Sequence, residues 1–167
     1  MSVGLIIGLA FLVFVGVTIF KGVRIVPQGY KWIVQRLGKY HSTLNPGLNF
    51  VIPYVDEIAY KVTTKDIVLD IPSQEVITRD NAVLLMNAVA YINLTTPEKA
   101  VYGIENYTWA IQNLVQTSLR SIVGEMDLDD ALSSRDHIKA KLKAAISDDI
   151  SDWGITLKTV EIQDIQP

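Results

Sequence analysis

The side chains able to support catalysis or metal binding are few in this sequence and widely spaced. The chain has 167 residues and no cysteine, which excludes a disulfide framework, a cysteine-bound metal and a thiol nucleophile. Its two histidines, His41 and His137, stand in distant parts of the sequence, each among polar residues, and this setting favours surface histidines over ligands. Motifs of nucleotide-binding loops, serine hydrolases and zinc peptidases are absent. The residue types therefore predict a protein that is not an enzyme and has no metal and no cofactor.

A short acidic run is the remaining candidate for an ion-binding site. Asp127, Asp129 and Asp130 stand close together, but the run lacks the spaced ligands, the central glycine and the distal glutamate of a calcium-binding loop. Asp127 as a helix cap, with Asp129 and Asp130 in the first turn of that helix, explains the run without a ligand, because acidic residues there oppose the positive end of the helix dipole. Arg79 and Asp80 are adjacent and could form a local ion pair, which would contribute little if it were exposed.

Hydrophobic residues, which make up 49% of the chain, are concentrated at its start. Residues 3–20 contain no charged side chain. As a helix this segment would be about 27 Å long, close to the roughly 30 Å of a bilayer's hydrocarbon core. A buried core helix is one alternative, but the segment has no polar face. A cleaved signal peptide is another, but a basic leading segment and a small-x-small cleavage pattern are missing. We therefore predict an uncleaved transmembrane anchor over residues 1–22.

The charged residues divide the rest of the chain into a basic and an acidic part. Residues 21–65 carry seven Lys or Arg and two Asp or Glu, a net charge of +5, whereas residues 66–167 carry eight and sixteen, a net charge of -8. The overall charge of -3 argues against a nucleic-acid-binding protein. Because basic residues beside a membrane helix stay on the cytoplasmic side, the pattern predicts an outside N-terminus and a cytoplasmic body whose basic part faces anionic lipid.

The order of the predicted elements indicates an α+β fold. Residues 23–94 are mainly strand-like, with a Pro-Gly turn at 45–47 and a long strand at 83–94. Helices follow near residues 97, 107–123 and 133–153, placed by apolar spacing and by glycine stops. A final strand at 155–165 changes the phase of its apolar residues, which predicts a bulge. Strands followed by helices and one returning strand favour α+β over a βαβ repeat.

Six stretches stand in a characteristic order and spacing: Val26–Tyr30, Val34–Tyr40, Leu44–Tyr54, Gln74–Asn81, Ser118–Leu128 and Trp153–Ile165. They resemble the SPFH (band 7) domain of stomatins and prohibitins, and most of all its bacterial stomatin-like, or paraslipin, branch. The first three resemble the opening of that domain, the fourth its middle signature, and the last two its closing helix and strand. The resemblance covers the chain from about residue 23 onward.

The resemblance implies a membrane scaffold that oligomerises into a large ring or cage and organises a membrane microdomain. A regulatory subunit that binds an FtsH-type membrane protease or an NfeD-like partner is the alternative. The family also implies a membrane-proximal subdomain at 23–85, a distal subdomain at 86–167, and a coiled-coil region after Pro167. The expected location is the bacterial inner membrane, with a single spanning helix.

The residues expected to contact lipid belong to two segments. In the anchor they are Leu5, Ile6, Leu9, Phe11, Leu12, Phe14, Ile19 and Phe20. In the loop that corresponds to a lipid-facing loop of the family they are Leu48, Phe50, Val51 and Ile52. An ordinary core strand is an equally good interpretation of the second segment.

Overall fold

A computed structural model describes residues 2–167 and divides them into two compact units, one ending at Thr64 and the other running from Lys65 to Pro167. The first unit contains α1 (Val3–Gly22), β1 (Val23–Val26), β2 (Tyr30–Arg36), β3 (Lys39–Leu44), β4 (Gly47–Phe50) and β5 (Asp56–Thr63). The second contains β6 (Ile67–Ile77), β7 (Val83–Leu94), α2 (Pro97–Gly103), α3 (Tyr107–Gly124), α4 (Leu128–Ser133), α5 (Arg135–Ser151) and β8 (Ile155–Gln166).

Two small antiparallel sheets make up the strands of the first unit. β1 pairs with β4 as a two-stranded ribbon, and β3, β2 and β5 form a three-stranded sheet with β2 in the centre. Leu37 and Gly38 connect β2 to β3, and both have positive φ angles, as a tight two-residue hairpin loop requires. Val26, Val34 and Leu44 form a small core against which Trp32 and Val51 pack.

The second unit is an antiparallel sheet in the order β6-β7-β8 with helices packed on it. α3 packs on β6 and α5 packs on both β8 and α3. The buried side chains of the two helices recur every fourth residue, as one face of a helix requires: Ile111, Val115, Leu119 and Val123 in α3, and Ile138, Leu142, Ile146 and Ile150 in α5. Alternate residues of the central strand β7 are buried as well. The predicted α+β class and the apolar helix before it are confirmed.

The boundary between the compact units differs in position from the implied subdomain boundary. The resemblance places that boundary between residues 85 and 86, which lie inside β7. β7 pairs along its length with β6 and β8, so a cut there would pass through the middle of one sheet. The more compact division falls in the short segment between β5 and β6.

Candidate membrane-contacting surface

The first component of the surface is α1, a helix of 20 residues whose apolar side chains are exposed. Its length is about 30 Å at 1.5 Å per residue, and it is long and apolar enough to cross a membrane. All eight anchor residues expected to contact lipid lie on this helix with their side chains exposed: Leu5, Ile6, Leu9, Phe11, Leu12, Phe14, Ile19 and Phe20. Exposed apolar side chains around a whole helix are typical of a segment that is surrounded by lipid.

The second component is one face of the β1–β4 ribbon. Val23 lies opposite Phe50 and Ile25 lies opposite Leu48, and directly opposed residues of an antiparallel pair project from the same face. Ile25 is 70% exposed, Leu48 63% and Phe50 70%. The opposite face contributes Val26 to the small core. The ribbon therefore exposes an apolar face, and an exposed apolar patch typically marks a surface that contacts a membrane or another protein.

A backbone hydrogen bond joins the ribbon segment to the end of α1. The Val51 N–H donates to the Gly22 carbonyl over 2.8 Å. A Cβ atom on Gly22 would lie 2.8 Å from the Val51 carbonyl oxygen, closer than real Cβ atoms approach another atom, so the junction requires glycine. α1 and the apolar ribbon face thus meet at a closely packed joint, with no flexible linker between them.

The loop after β4 is held by a carboxylate. Arg36 donates through Nε to Asp56 Oδ1 at 2.7 Å and through a terminal nitrogen to Oδ2 at 3.2 Å, and the Ile52 N–H donates to Oδ2 at 2.9 Å. The Asp56 side chain is only 3% exposed. These hydrogen bonds, that of Arg36 first, lower the pKa of Asp56 to about 2. The carboxylate is therefore ionised at neutral pH and fixes the loop beside β2.

The loop residues expected to contact lipid differ in where their side chains lie. Leu48, Phe50 and Ile52 are exposed, whereas Val51 is half-buried and packs on the small core. Two further exposed apolar residues, Ile25 and Tyr54, belong to the same region. Sequence reasoning missed Ile25 because only the pairing of β1 with β4 shows that it shares a face with Leu48. Tyr54 also has a positive φ angle, which no local pattern indicated.

The two histidines of the chain belong to different units. His41, in the first unit, and His137, in the second, are both exposed. Among residues 2–167 no group of three or more His, Cys, Asp or Glu could hold a metal ion. Asp129 and Asp130 are exposed in the first turn of α4, the position that the dipole argument predicts.

Arg79 forms its ion pair with Asp127, and not with the adjacent Asp80 that the sequence offered as a possible partner. Arg79 donates to both carboxylate oxygens of Asp127, at 2.6 and 3.1 Å. Asp80 accepts from the Thr78 hydroxyl and from the Leu128 N–H at 3.2 Å, so it caps the start of α4 from a distant loop. The two neighbours thus hold the β6–β7 turn on the α3–α4 junction, and their role here is structural.

Comparisons with known proteins identify the family of the α+β body. The model of the SPFH domain / Band 7 family matches residues 24–167. An uncharacterized protein of Methanocaldococcus jannaschii is 41% identical over 149 residues, which cover 89% of this chain and 74% of that protein. An uncharacterized protein of Mycobacterium tuberculosis is 35% identical over 168 residues, 98% of this chain and 44% of its own length. The human mitochondrial stomatin-like protein 2 is 39% identical over 143 residues, 86% of this chain and 40% of its own length.

The chain belongs to the SPFH domain / Band 7 family. Members of this family generally act as membrane scaffolds, and the exposed apolar helix α1 agrees with attachment to a membrane. The chain spans less than half the length of the mycobacterial and human relatives.

Proposed function

We propose that the chain is a membrane-anchored scaffold subunit that oligomerises into a large ring or cage and organises a membrane microdomain. The observation that carries the proposal is the pairing of two apolar surfaces at one joint. α1 is an apolar helix long enough to span a membrane. The ribbon segment that is hydrogen-bonded to its end exposes Ile25, Leu48 and Phe50 on one face. Spanning helix and ribbon together would hold each subunit in a fixed pose on the lipid, and a fixed pose favours lateral packing of copies.

The proposed topology places the two units on the cytoplasmic side of the bacterial inner membrane. Basic residues of the first unit support this orientation by the positive-inside rule. From Lys21 to Thr64 the chain carries six Lys or Arg and two Asp or Glu, a net charge of +4. This stretch begins in the last turn of α1 and continues through the strands that follow it.

Extraction and imaging of the intact protein test the proposal. Membranes holding the full chain are washed with alkaline carbonate, which strips peripheral proteins but leaves spanning ones, and the detergent-solubilised protein is then imaged by electron microscopy. We expect the protein to stay in the membrane pellet and to form large closed particles. Release into the wash would contradict the anchor, and particles of monomer or dimer size would contradict the scaffold.

Labelling of single introduced cysteines tests the contact of the ribbon with lipid. The chain has no cysteine of its own, so Phe50→Cys and Ile77→Cys each create one site for an environment-sensitive dye. Both positions are exposed and apolar, but Ile77 lies in the second unit. In vesicles we expect blue-shifted emission and quenching by spin-labelled lipid at position 50, and emission typical of water at position 77. Equal, water-like spectra at the two positions would contradict lipid contact by the ribbon.

A second candidate function is favoured by the charge of the second unit. From Lys65 to Pro167 it carries nine Lys or Arg and sixteen Asp or Glu, a net charge of -7, and Asp129 and Asp130 present exposed carboxylates. Such a surface suits a basic protein partner. We propose, as the alternative, a regulatory subunit that binds an FtsH-type membrane protease or an NfeD-like protein through this acidic unit.

A further inference from the structure

An open pocket of about 430 Å³ lies where α1 meets the ribbon. Its volume falls within the roughly 300–1,000 Å³ of ligand-binding pockets. The lining combines cationic, aliphatic and aromatic side chains from the end of α1, from β1 and from β2: Phe20, Lys21, Val23, Arg24, Ile25 and Trp32. Two cations beside an apolar wall are the chemistry expected for a ligand with one anionic end and one apolar end.

The residues that the structure describes place no carboxylate against the cations of this pocket. Among residues 2–167 the ion pairs join other side chains, and neither Lys21 nor Arg24 has a carboxylate partner. A third cation stands nearby, because Lys61 Nζ lies 4.5 Å from the centroid of the Trp32 ring. Lys21 is itself oriented by Tyr54, whose ring centroid is 5.5 Å from Nζ. Cations held in place without a counter-ion favour the binding of an anion.

The position of the pocket at the end of the apolar helix indicates which kind of anion it binds. Lys21 follows the last apolar residue of the membrane-crossing segment, so with α1 in a bilayer the pocket lies at the level of the lipid headgroups. Tryptophan is enriched at this level because its ring is apolar and its N–H is polar. Ile25, which lines the pocket, is also part of the apolar ribbon face. A soluble anion would use the cations but would leave the apolar wall without a partner.

We propose that this pocket binds the headgroup of an anionic phospholipid, with Lys21 and Arg24 contacting the phosphate and with Trp32 and Ile25 packing against the glycerol and the first methylenes. The inference rests on the proposed membrane anchor and adds to it a site that prefers one class of lipid. Each nearby cation contributes about 1 kcal/mol of attraction to anionic lipid, which corresponds to about a fivefold preference.

Quenching of Trp32 by brominated lipid measures this preference. The full chain, with Trp109→Phe and Trp153→Phe so that only Trp32 emits, is reconstituted into phosphatidylcholine vesicles containing brominated phosphatidylglycerol, and then into the reverse mixture. The ratio of the two quenching curves gives the association constant of phosphatidylglycerol relative to phosphatidylcholine. We expect a preference for phosphatidylglycerol of about fivefold or more.

Charge-matched variants separate a site from a general attraction. Arg24→Gln should lower the preference by about fivefold, whereas Lys39→Gln, which removes an equal charge at an exposed position of β3 outside the pocket, should leave it nearly unchanged. Equal losses in the two variants, or no loss in Arg24→Gln, would overturn the proposal.

Two further measurements distinguish a lipid phosphate from a free phosphate, and failure of this inference from failure of the proposed function. Inorganic phosphate, compared with sodium chloride of the same ionic strength, should leave the lipid preference unchanged; if phosphate alone abolished it, the pocket would be a site for free anions and the proposal would be overturned. Flotation with pure phosphatidylcholine vesicles tests the anchor separately. A chain that floats but shows no lipid preference overturns only this inference, whereas a chain that does not float overturns the proposed function as well.

Discussion

Asp56 shows how one side chain can set the shape of a surface that consists of other residues. It is not apolar and would not itself contact lipid, yet it binds Arg36 and the Ile52 N–H at once. The Asp56 N–H returns a bond to the Ile52 carbonyl at 2.9 Å. The segment between Ile52 and Asp56, which includes the exposed Tyr54, is thus closed into a small loop, and its pose depends on a charged carboxylate.

The stability that Asp56 contributes should be lost in acid. Its pKa is lowered to about 2 in the folded protein, from an ordinary value of 3.8, so its contribution is complete above about pH 4 and disappears as the pH falls towards 2. Asp56→Asn should therefore lower the free energy of unfolding by about 1–3 kcal/mol at neutral pH. It should also make the free energy of unfolding differ less between pH 6 and pH 2. Chemical unfolding in detergent micelles, followed by circular dichroism, measures both effects.

The exposed neighbour Glu57 provides the control for this prediction. Glu57→Gln makes the same change from carboxylate to amide in the same strand, but among residues 2–167 no hydrogen bond or ion pair of its side chain is found. We expect its unfolding curve to match that of the unmodified chain. If Asp56→Asn and Glu57→Gln behaved alike at both pH values, the proposed role of the buried carboxylate would be wrong.

At the scale of elements, the joint between α1 and the ribbon is the most constrained point of the first unit. Gly22→Ala should push the new Cβ into the Val51 carbonyl and weaken the hydrogen bond from Val51 to Gly22, at a cost of about 1–3 kcal/mol. Hydrogen exchange should then be faster at the Val51 amide. Gly16→Ala, where an added Cβ meets nothing within 4 Å, should leave this exchange unchanged, and equal rates in the two variants would contradict the argument.

Elements of the second unit protect the free edge of its sheet. β8 is an edge strand, and exposed edges invite pairing with other chains. Three basic residues of α5, spaced by four, reach towards it: Arg135 donates to the Gln163 carbonyl at 3.3 Å, Lys139 to Glu161 at 2.6 Å and Lys143 to the Lys158 carbonyl at 3.4 Å. Arg135 and Lys143 thus occupy two backbone carbonyls of β8, and Lys139 pairs with the Glu161 carboxylate beside them. Cationic side chains held along β8 oppose uncontrolled strand addition at this edge.

For the whole molecule, the separation of charge into a basic and an acidic unit makes the alternative function testable. The double variant Asp129→Lys, Asp130→Lys changes the net charge of the second unit by +4 and leaves the first unit unchanged. If a basic partner binds the acidic unit, the variant should capture it at least tenfold less in co-purification from solubilised membranes. Asp148→Lys, Asp149→Lys on α5 makes the same change in charge at another exposed site and should have a smaller effect. If the unmodified chain and both double variants captured the partner equally, binding at α4 would be contradicted.

Much of the fold could be predicted from the sequence because its signals are local. The bounds of β7 were predicted as Val83–Leu94 and those of α3 within one residue, since each has a clear apolar period and ends at a turn or a glycine. The bulge expected in the last strand is confirmed by a shift in the pairing of β8 with β7 between Leu157 and Thr159.

The features that could not be predicted depend on residues distant in sequence. No local pattern indicates that β1 pairs with β4, that Arg36 binds Asp56, or that Asp80 caps a helix beginning at Leu128. The apolar face of the ribbon follows from such a pairing, and for this reason the sequence identified Leu48 and Phe50 but not Ile25. Tertiary structure determines which distant residue each of these groups contacts. The periodicity of apolar residues within one segment contains no information about such contacts.

The tight joint at Gly22 has a mechanical consequence. A spanning helix changes its tilt when the hydrocarbon thickness around it changes, and a helix bonded to a strand by a backbone hydrogen bond transmits that rotation. A thinner or thicker bilayer would therefore alter the angle at which the first unit meets the lipid surface. In the proposed ring the same small rotation would be repeated in every subunit, so the curvature of the ring would respond to the thickness of the bilayer that it encloses.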